Sequence, residues 1–221
     1  DLKRLSGGAS QETWSFKTHK DSEAEALVLR RAPGGGDGNA SGTAVGLETE
    51  AKLIQLAAEA GVVVPTVRYV ASPSDGLGSG FIMNHVHGET LGSKIVRSED
   101  FASVRPKLAR QCGEALAKLH AVPVASLPPL RLSPAIEEIA RYREVYKTHG
   151  HPHPVFDLAL KWLSDNVPAD DQSTLVHGDF RNGNIMFDPK RGVSAILDWE
   201  LAHVGDPMED MDWICVNSWR F

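Results

Sequence analysis

The chain has 221 residues, of which 42% are hydrophobic and 24% charged, a balance typical of a globular protein that can bury one large core or two lobes. Its formal net charge of −6 at pH 7 argues against general nucleic-acid binding and permits cationic substrates without requiring them. Because no apolar run approaches the roughly 18 residues of a membrane span, no signal peptide is visible and neither cysteine has a CxxC partner, we expect a cytoplasmic protein without a membrane partner.

The first stretch of the chain predicts a small β-rich lobe that contains a glycine-rich turn. Residues 5–10, with the sequence LSGGAS, form a turn between two short strand candidates, the second over residues 13–17. Glycines let backbone amides approach phosphate oxygens, and a serine adds a hydroxyl donor. Gly7, Gly8 and Ser10 are therefore candidates for phosphate contacts, and the alternative is an ordinary hairpin turn.

A strand over residues 26–33 and an amphipathic helix over residues 47–60 come next, separated by a glycine-rich linker. The strand carries Arg30 near its end. The helix shows apolar residues at helical spacing and carries Glu48 and Glu50 in its first turn. These three charged residues are either ordinary solvated charges or members of an ion pair between the strand and the helix.

Two further strands, at residues 62–70 and 80–86, complete this lobe, after which the chain becomes helical. Apolar spacing predicts helices over residues 103–120, 134–146 and 156–167. Three histidines in the segment between the last two helices invite a metal-site interpretation: His149, His151 and His153. Because they alternate with glycine and proline, the stronger prediction is an extended surface loop.

The most informative stretch lies near the C-terminal end, where short strand candidates display polar side chains. Asp179 follows the strand at residues 174–176, and Asn184 and Asp198 bracket a hairpin of two further strands. The hairpin brings Asn184 and Asp198 to one edge. Magnesium prefers such hard oxygen ligands, and Asp179 is then free to accept a hydroxyl proton. This order of residues fits phosphoryl transfer from a nucleotide, whereas an isolated Asn-Gly-Asn would be a plain turn.

The last segment, residues 207–219, is predicted to be one helix. Its expected apolar stripe consists of Met208, Met211, Ile214 and Cys215. Asp210 and Asp212 are expected to be charges on the outer helix face or contacts to further chain. Since no stop signal follows the helix, we expect the C-terminal part of the protein to be incomplete here.

Three motifs together resemble the aminoglycoside phosphotransferase family, the small-molecule branch of the protein-kinase-like fold. They are HGDFRNGN at residues 177–184, ILDWE at residues 196–200 and GDPMEDMDW at residues 205–213. The chain is most similar to the subgroup that contains kinase-like domains fused to acyl-CoA dehydrogenases. The resemblance covers nearly the whole chain and implies an α+β, bilobal fold. It implies a nucleotide-binding lobe at residues 1–88 and a catalytic and substrate lobe at residues 89–221, truncated at its end.

The resemblance also implies a role for each residue of the C-terminal motifs. Asp179 would be the catalytic base, and Asn184 and Asp198 would hold the metal. Mg²⁺ is the implied cofactor, ATP or GTP the phosphoryl donor, and a small hydroxylated molecule the acceptor. Asp206, in the Gly-Asp-Pro segment, would brace the catalytic loop, and the role of Arg181 stays open.

The nucleotide-binding residues implied by the resemblance are Gly7, Gly8, Ser10, Arg30, Glu50, Asn84, His85 and Val86. The first three match the loop that covers the phosphates, and the last three match the hinge whose backbone binds the purine base. Arg30 stands where kinases have a lysine, which keeps the positive charge but changes the geometry. Glu50 is its implied partner, with Glu48 as the rival.

Alternatives to a small-molecule kinase remain at this point. The acceptor is open between an aminoglycoside, a hydroxyacyl-CoA or hydroxy acid, and an amino alcohol. A catalytically silent nucleotide-binding domain is the rival from another class, favoured by the altered cation at Arg30. A protein kinase is the third option, and it is less favoured because no Ala-Pro-Glu segment follows Asp198.

Overall fold

A five-stranded antiparallel sheet forms the N-terminal part of the fold in the computed structural model, which describes residues 2–5, 11–20, 23–36, 42–169 and 172–219. The predicted turn residues Gly7, Gly8 and Ser10 therefore lie outside the described residues. The strands are β1 (Lys3–Arg4), β2 (Glu12–Lys20), β3 (Glu23–Arg31), β4 (Val67–Val70) and β5 (Gly80–Asn84). Their order in the sheet is β1-β2-β3-β5-β4, so the strand with Arg30 lies at the centre.

The helix α1 (Leu47–Glu59) packs against β4 and β5 of this sheet. It buries Leu47, Ala51 and Ile54 at the predicted helical spacing, continued by Ala57, and Gly61 follows it with a φ of 80°. The strand predicted over residues 62–70 begins only at Val67. Pro65 lies in the predicted segment that is not a strand, and without an N–H group it cannot donate a hydrogen bond to a neighbouring strand.

Four helices dominate the middle of the chain: α2 (Gly92–Arg97), α3 (Arg105–His120), α4 (Ala135–Thr148) and α5 (Pro154–Asp165). Helix α3 buries Cys112, Ala115, Leu116 and Leu119, the stripe that its periodicity predicts. Helices α4 and α5 pack against each other, and the loop between them carries the three histidines. Among the described residues, no helix is both long and apolar enough to cross a membrane.

Two small sheets position the C-terminal motifs. In the first, β10 (His203–Gly205) lies between β6 (Leu132–Ser133) and β7 (Thr174–Val176). In the second, β8 (Ile185–Asp188) pairs antiparallel with β9 (Gly192–Ile196), and Ile185 lies opposite Ile196. The hairpin expected from the sequence is thus present. Asn184 and Asp198 lie at the same end of it, where the Leu197 N–H donates to the Asn184 carbonyl at 2.8 Å.

The final segment differs from the single helix expected over residues 207–219. The helix α6 (Met208–Trp213) is short, and a turn and a 3₁₀ helix at Asn217–Trp219 follow it. Of the predicted apolar stripe, Ile214 packs against the core, but Met208 and Met211 are each 49% exposed and Cys215 is exposed, while Asp210 is completely buried. The helix therefore presents a carboxylate, and not its methionines, to the interior.

The two lobes share one core. Leu53, Ile54 and Phe81 from the N-terminal lobe belong to the same buried cluster as Ile196 and Trp199 from the C-terminal lobe. Two backbone hydrogen bonds also cross between the lobes, from Val45 N–H to the Glu200 carbonyl at 2.7 Å and from Ile196 N–H to the Val63 carbonyl at 2.9 Å. The fold is α+β and bilobal, as predicted.

Candidate active site

The loop that carries Asp179 is anchored by the buried carboxylate of Asp210 on α6. This carboxylate accepts the backbone N–H groups of His177 at 2.9 Å and Gly178 at 3.0 Å. Gly178 has a φ of 79°, and a Cβ there would lie 2.5 Å from the Leu201 carbonyl oxygen. The turn before Asp179 therefore requires glycine, both for its conformation and for the close approach of the two backbones.

His177 ties this loop to the strand that leads to Asp198. Its ring is fully buried; Nδ1 accepts the Asp179 N–H at 3.2 Å, and Nε2 lies 3.0 Å from the Leu197 carbonyl oxygen. Nε2 therefore carries the proton. Burial lowers the pKa of His177, so the ring stays neutral and holds both contacts.

The Asp179 carboxylate accepts three hydrogen bonds in the described part of the chain. Asn184 Nδ2 donates to Oδ2 at 2.6 Å, while Arg181 Nε at 2.9 Å and Trp213 Nε1 at 2.7 Å both donate to Oδ1. Hydrogen bonds to a charged carboxylate are stronger than neutral ones. The side chain is thus held in one orientation while 16% of its surface stays exposed.

Asn184 is oriented by the same contacts. Its Nδ2 donates to the backbone carbonyl of Asp179 at 3.0 Å as well as to its carboxylate, and the residue is buried. These two bonds assign the nitrogen and the oxygen of the amide. The amide oxygen Oδ1 is therefore not the atom that contacts Asp179. Asn184 also lines the cleft between the lobes.

Three carboxylates surround the guanidinium of Arg30. Its Nε lies 3.0 Å from Glu50 Oε1, and its Nη2 lies 2.5 Å from Asp198 Oδ1 and 3.2 Å from Glu200 Oε2. The predicted ion pair is thus made by Glu50 and not by its rival Glu48. Asp198 adopts a φ of 65°, a left-handed conformation that aspartate tolerates better than most residues.

Burial changes the ionisation of this cluster. It raises the pKa of Glu50 from 4.5 to about 7, although the Arg30 charge acts in the opposite direction. Burial also acts to lower the pKa of Arg30, but the attraction of Glu50, Asp198 and Glu200 outweighs it and the net shift is upward. The arginine stays charged, and the charge of Glu50 depends on pH near neutrality.

A cavity of about 190 Å³ lies between the lobes. Arg30, Glu50, Asn184 and Asp198 form its polar wall, and its apolar lining includes Ile54, Phe81, Met83 and Ile196. The lining thus combines charged and apolar side chains. This combination suits a ligand that joins a charged group to a flat apolar one.

The predicted hinge follows β5. The Asn84 N–H donates to the Thr66 carbonyl at 3.0 Å and the His85 N–H to the Ala26 carbonyl at 3.0 Å. Both N–H groups are therefore engaged within the lobe, and Met83 is the neighbour whose side chain lines the cleft. The assignment of Asn84, His85 and Val86 to base recognition stays a prediction.

The expectation that Asp206 braces the catalytic loop is wrong. Asp206 Oδ1 accepts the Met208 N–H at 2.9 Å and so caps the start of α6. The brace is Asp210, one helical turn later, which was expected to be a charge on the outer helix face or a contact to further chain. A helix of six residues can turn a single buried acid inward when backbone N–H groups and His120, 3.0 Å away, satisfy it.

Trp213 and Arg181 both contact Asp179 directly. No site role was predicted for Trp213, and the role of Arg181 was left undecided. Arg181 precedes Asn184 in the same loop, so its proximity follows from local spacing. Trp213 is 34 residues away from Asp179 in the chain. Trp213 shares a helix face with Asp210, three residues before it, but the sequence pattern did not indicate that this face turns inward.

The residues around the cleft fit a magnesium ion. The Asn184 amide oxygen and the Asp198 carboxylate are hard oxygen donors at the same end of the β8–β9 hairpin. Arg30 Nη2 contacts both Asp198 and Glu200, so the Glu200 carboxylate lies near this pair. Among the described residues, no group of three or more histidine, cysteine, aspartate or glutamate side chains forms a cage. Magnesium usually takes only one or two protein carboxylates and completes its shell with water and phosphate, so a partial donor set is sufficient.

Solved structures share this arrangement of lobes. A candidate aminoglycoside phosphotransferase from Ralstonia eutropha superposes with a TM-score of 0.76 at 24% identity, over 97% of this chain and 63% of that one. Aminoglycoside phosphotransferase APH(4)-Ia, in a ternary complex with ADP and hygromycin B, gives 0.61 at 19% identity, over 96% and 70% of the two chains. The fold is thus that of the protein-kinase-like class.

The sequence match is more specific than the fold. Residues 1–221 match the Phosphotransferase enzyme family, and the chain belongs to that family. It is 30% identical over 215 residues to acyl-CoA dehydrogenase family member 11 of Rattus norvegicus, covering 92% of this chain and 26% of the relative. The chain thus spans about a quarter of that relative's length. The predicted family and its acyl-CoA dehydrogenase-linked subgroup are confirmed.

Proposed function

We propose that this chain transfers the γ-phosphoryl group of ATP or GTP to a hydroxyl group of a small molecule. One observation carries the proposal. Asp179 and Asn184 are locked together by hydrogen bonds, and Asn184, Asp198 and Arg30 line one cleft. A base, two oxygen donors and a buried cation are the groups that phosphoryl transfer requires.

Each residue has a distinct role in this proposal. Asp179 orients the acceptor hydroxyl and takes its proton as the acceptor oxygen attacks the γ-phosphorus. The bond from that phosphorus to the bridging oxygen breaks, and the nucleoside diphosphate leaves with the electron pair. Arg30, held by Glu50, positions phosphate oxygens. Most of the rate acceleration then comes from positioning and charge stabilisation.

Asn184 and Asp198 would hold Mg²⁺, with Glu200 as a nearby carboxylate. When bound, the ion supplies positive charge to the phosphate oxygens. The hinge segment, Asn84 to Val86, and the turn with Gly7, Gly8 and Ser10 are proposed to contact the base and the phosphates. The lobe boundary at residue 88 and the roles of these residues belong to the proposal as well.

Two kinds of relative support the proposed acceptor classes. The APH(4)-Ia complex contains hygromycin B, and the chain is 14% identical to an ethanolamine kinase of Plasmodium vivax with a TM-score of 0.57. The relatives matched in sequence carry acyl-CoA dehydrogenase names. We therefore propose an acceptor among aminoglycosides, amino alcohols and hydroxyacyl-CoA thioesters or hydroxy acids.

The experiment is a transfer assay with γ-labelled ATP or GTP and Mg²⁺ against a panel of these acceptors. Label should appear on one acceptor class. Asp179→Asn should lower turnover by about 10²–10⁴-fold, the usual effect of losing a general base. Its nucleotide binding, followed by thermal stabilisation with and without Mg²⁺, should match the wild type.

Two results would change the assignment. Equal turnover by the wild type and Asp179→Asn would remove Asp179 as the base. Nucleotide stabilisation without transfer to any acceptor would favour the second candidate, a silent nucleotide-binding domain. The observation that favours this candidate is the direct contact of Arg30 with Asp198, at the carboxylate that the metal requires.

A further inference from the structure

Trp213 is the unexpected partner of the proposed base. Its indole Nε1 lies 2.7 Å from Asp179 Oδ1, the oxygen that also accepts Arg181 Nε at 2.9 Å. The other oxygen, Oδ2, accepts Asn184 Nδ2 at 2.6 Å. Within the described residues the two carboxylate oxygens therefore differ in their environment.

Counting lone pairs distinguishes the two oxygens. A carboxylate offers about four acceptor positions, two on each oxygen. The donors Trp213 and Arg181 fill both positions on Oδ1, and Asn184 fills one on Oδ2. A further donor, such as an acceptor hydroxyl, is thus directed to the remaining position on Oδ2. That oxygen lies beside Asn184, a residue that lines the cleft.

The contact is built into the fold. Asp210 lies three residues before Trp213 on α6, and residues three apart share a helix face. The Asp210 carboxylate accepts the N–H groups of His177 and Gly178, at the start of the Asp179 loop. The same helix face therefore holds both the backbone and the carboxylate of this loop. Because Trp213 is 37% exposed, burial of the residue does not by itself account for the contact.

We propose that Trp213 is a positioning residue that, with Arg181, occupies Asp179 Oδ1 and delivers the acceptor hydroxyl to Oδ2. This role rests on the function proposed above. In the step, the acceptor O–H donates to Oδ2 and its proton ends there. The new oxygen–phosphorus bond forms as the bond to the leaving diphosphate breaks. Trp213 itself exchanges no proton.

The test is Trp213→Phe, which removes the N–H and keeps an aromatic ring. Trp162→Phe is the matched control, since Trp162 is 61% exposed on α5. With the acceptor found in the transfer assay, kcat of Trp213→Phe should fall by about 10-fold or more, the effect of losing a hydrogen bond to a charged group. The nucleotide dissociation constant should stay within about twofold of the wild type, because binding in the cleft does not use this contact.

A spectroscopic measurement on the full chain tests the contact without any acceptor. The indole N–H resonance of Trp213, assigned by its absence in Trp213→Phe, should shift in Asp179→Asn, while that of Trp162 should not. An unchanged Trp213 resonance would overturn the contact in solution.

The kinetic outcomes separate the two proposals. Wild-type kcat in Trp213→Phe would overturn the positioning role while leaving the phosphotransferase proposal intact. If Trp213→Phe lowers kcat but also weakens nucleotide binding by the same factor and lowers the thermal stability, the positioning role is overturned as well, and the contact is purely structural. Absence of transfer by the wild type to every acceptor would overturn the proposed function, and the positioning role with it.

Discussion

Arg30 shows why an arginine suits this position. A guanidinium is a planar fork whose nitrogens can contact different partners at fixed angles, which a lysine ammonium cannot reproduce. Here Nε contacts Glu50, while Nη2 contacts Asp198 and Glu200. One side chain thus connects the helix of the N-terminal lobe to the strand end that carries the proposed metal ligand. Arg30 therefore links the two lobes at the position where kinases have a lysine.

The variant Glu50→Gln tests the ionisation of this cluster. The pKa of Glu50 is raised to about 7 in the folded protein, mainly by burial. A raised carboxyl pKa stabilises the fold fully below the unfolded value of 4.5, and this contribution is lost as the pH rises to about 7. The wild type should therefore lose stability over this range, at up to about 1.4 kcal/mol per pH unit, and the variant should lack this dependence.

The measurement is urea unfolding at several pH values across that range. Glu48→Gln is the control, since Glu48 is an exposed glutamate on the same helix and should keep the wild-type pH dependence. An identical pH dependence in Glu50→Gln and the wild type would show that Glu50 is already ionised below this range.

At the scale of elements, the short helix α6 controls the loop before Asp179. Its only fully buried residue among those described is Asp210, which serves two backbone N–H groups and His120. His203, at the start of β10, contacts the Leu201 carbonyl through Nδ1 and the Glu209 carboxylate through Nε2. Burial acts to lower the pKa of His203, but these two acceptors outweigh it, so the net shift of the pKa is upward. Hydrogen bonds to two of its carboxylates, Asp210 and Glu209, therefore hold helix α6 to the rest of the lobe.

Asp210→Asn should destabilise the fold by about 2–3 kcal/mol, because an amide offers one acceptor oxygen where the carboxylate offered two. Its NH₂ group would also face a backbone N–H. Turnover should fall as the Asp179 loop loses its anchor. The exposed Asp212→Asn should stay within about 0.5 kcal/mol of the wild type. Chemical denaturation of the two variants provides the comparison, and equal stabilities would contradict the bracing role.

At the scale of the whole molecule, the core does not divide at the lobe boundary. The cluster that contains Ile54 and Phe81 also contains Ile185, Ile196 and Trp199. Two lobes that share a core should unfold together, since neither can bury its apolar face alone. The proposed boundary at residue 88 would thus separate two lobes that depend on each other for stability.

We accordingly expect the full chain to unfold in one cooperative transition and the fragment 1–88 to remain unfolded when expressed alone. Coincident near- and far-UV circular dichroism transitions of the full chain would support this expectation. A folded fragment 1–88 with its own sigmoidal transition would show that the lobes are autonomous.

The parts of the site that the sequence predicts are those determined by local spacing. Asn184 and Asp198 flank one hairpin, so their proximity follows from the strand pattern, and Arg30 and Glu50 follow from a strand and the next helix. Asp210 and Trp213 could not be found in this way. Hydrophobic periodicity predicts that Met208 and Met211 lie on the buried face of α6. In this six-residue helix, however, the buried face carries Asp210, whose hydrogen bonds to the backbone N–H groups of the Asp179 loop outweigh the burial of the methionines.

The two backbone hydrogen bonds between the lobes lie on either side of α1, one at Val45 before it and one at Val63 after it. A helix fastened at both of its flanks cannot swing outward as a unit without breaking both bonds. We therefore expect Glu50 to keep its place beside Arg30. The proposed enzyme would remain assembled between turnovers, and its rate would follow the supply of nucleotide and acceptor instead of an on–off movement of this helix.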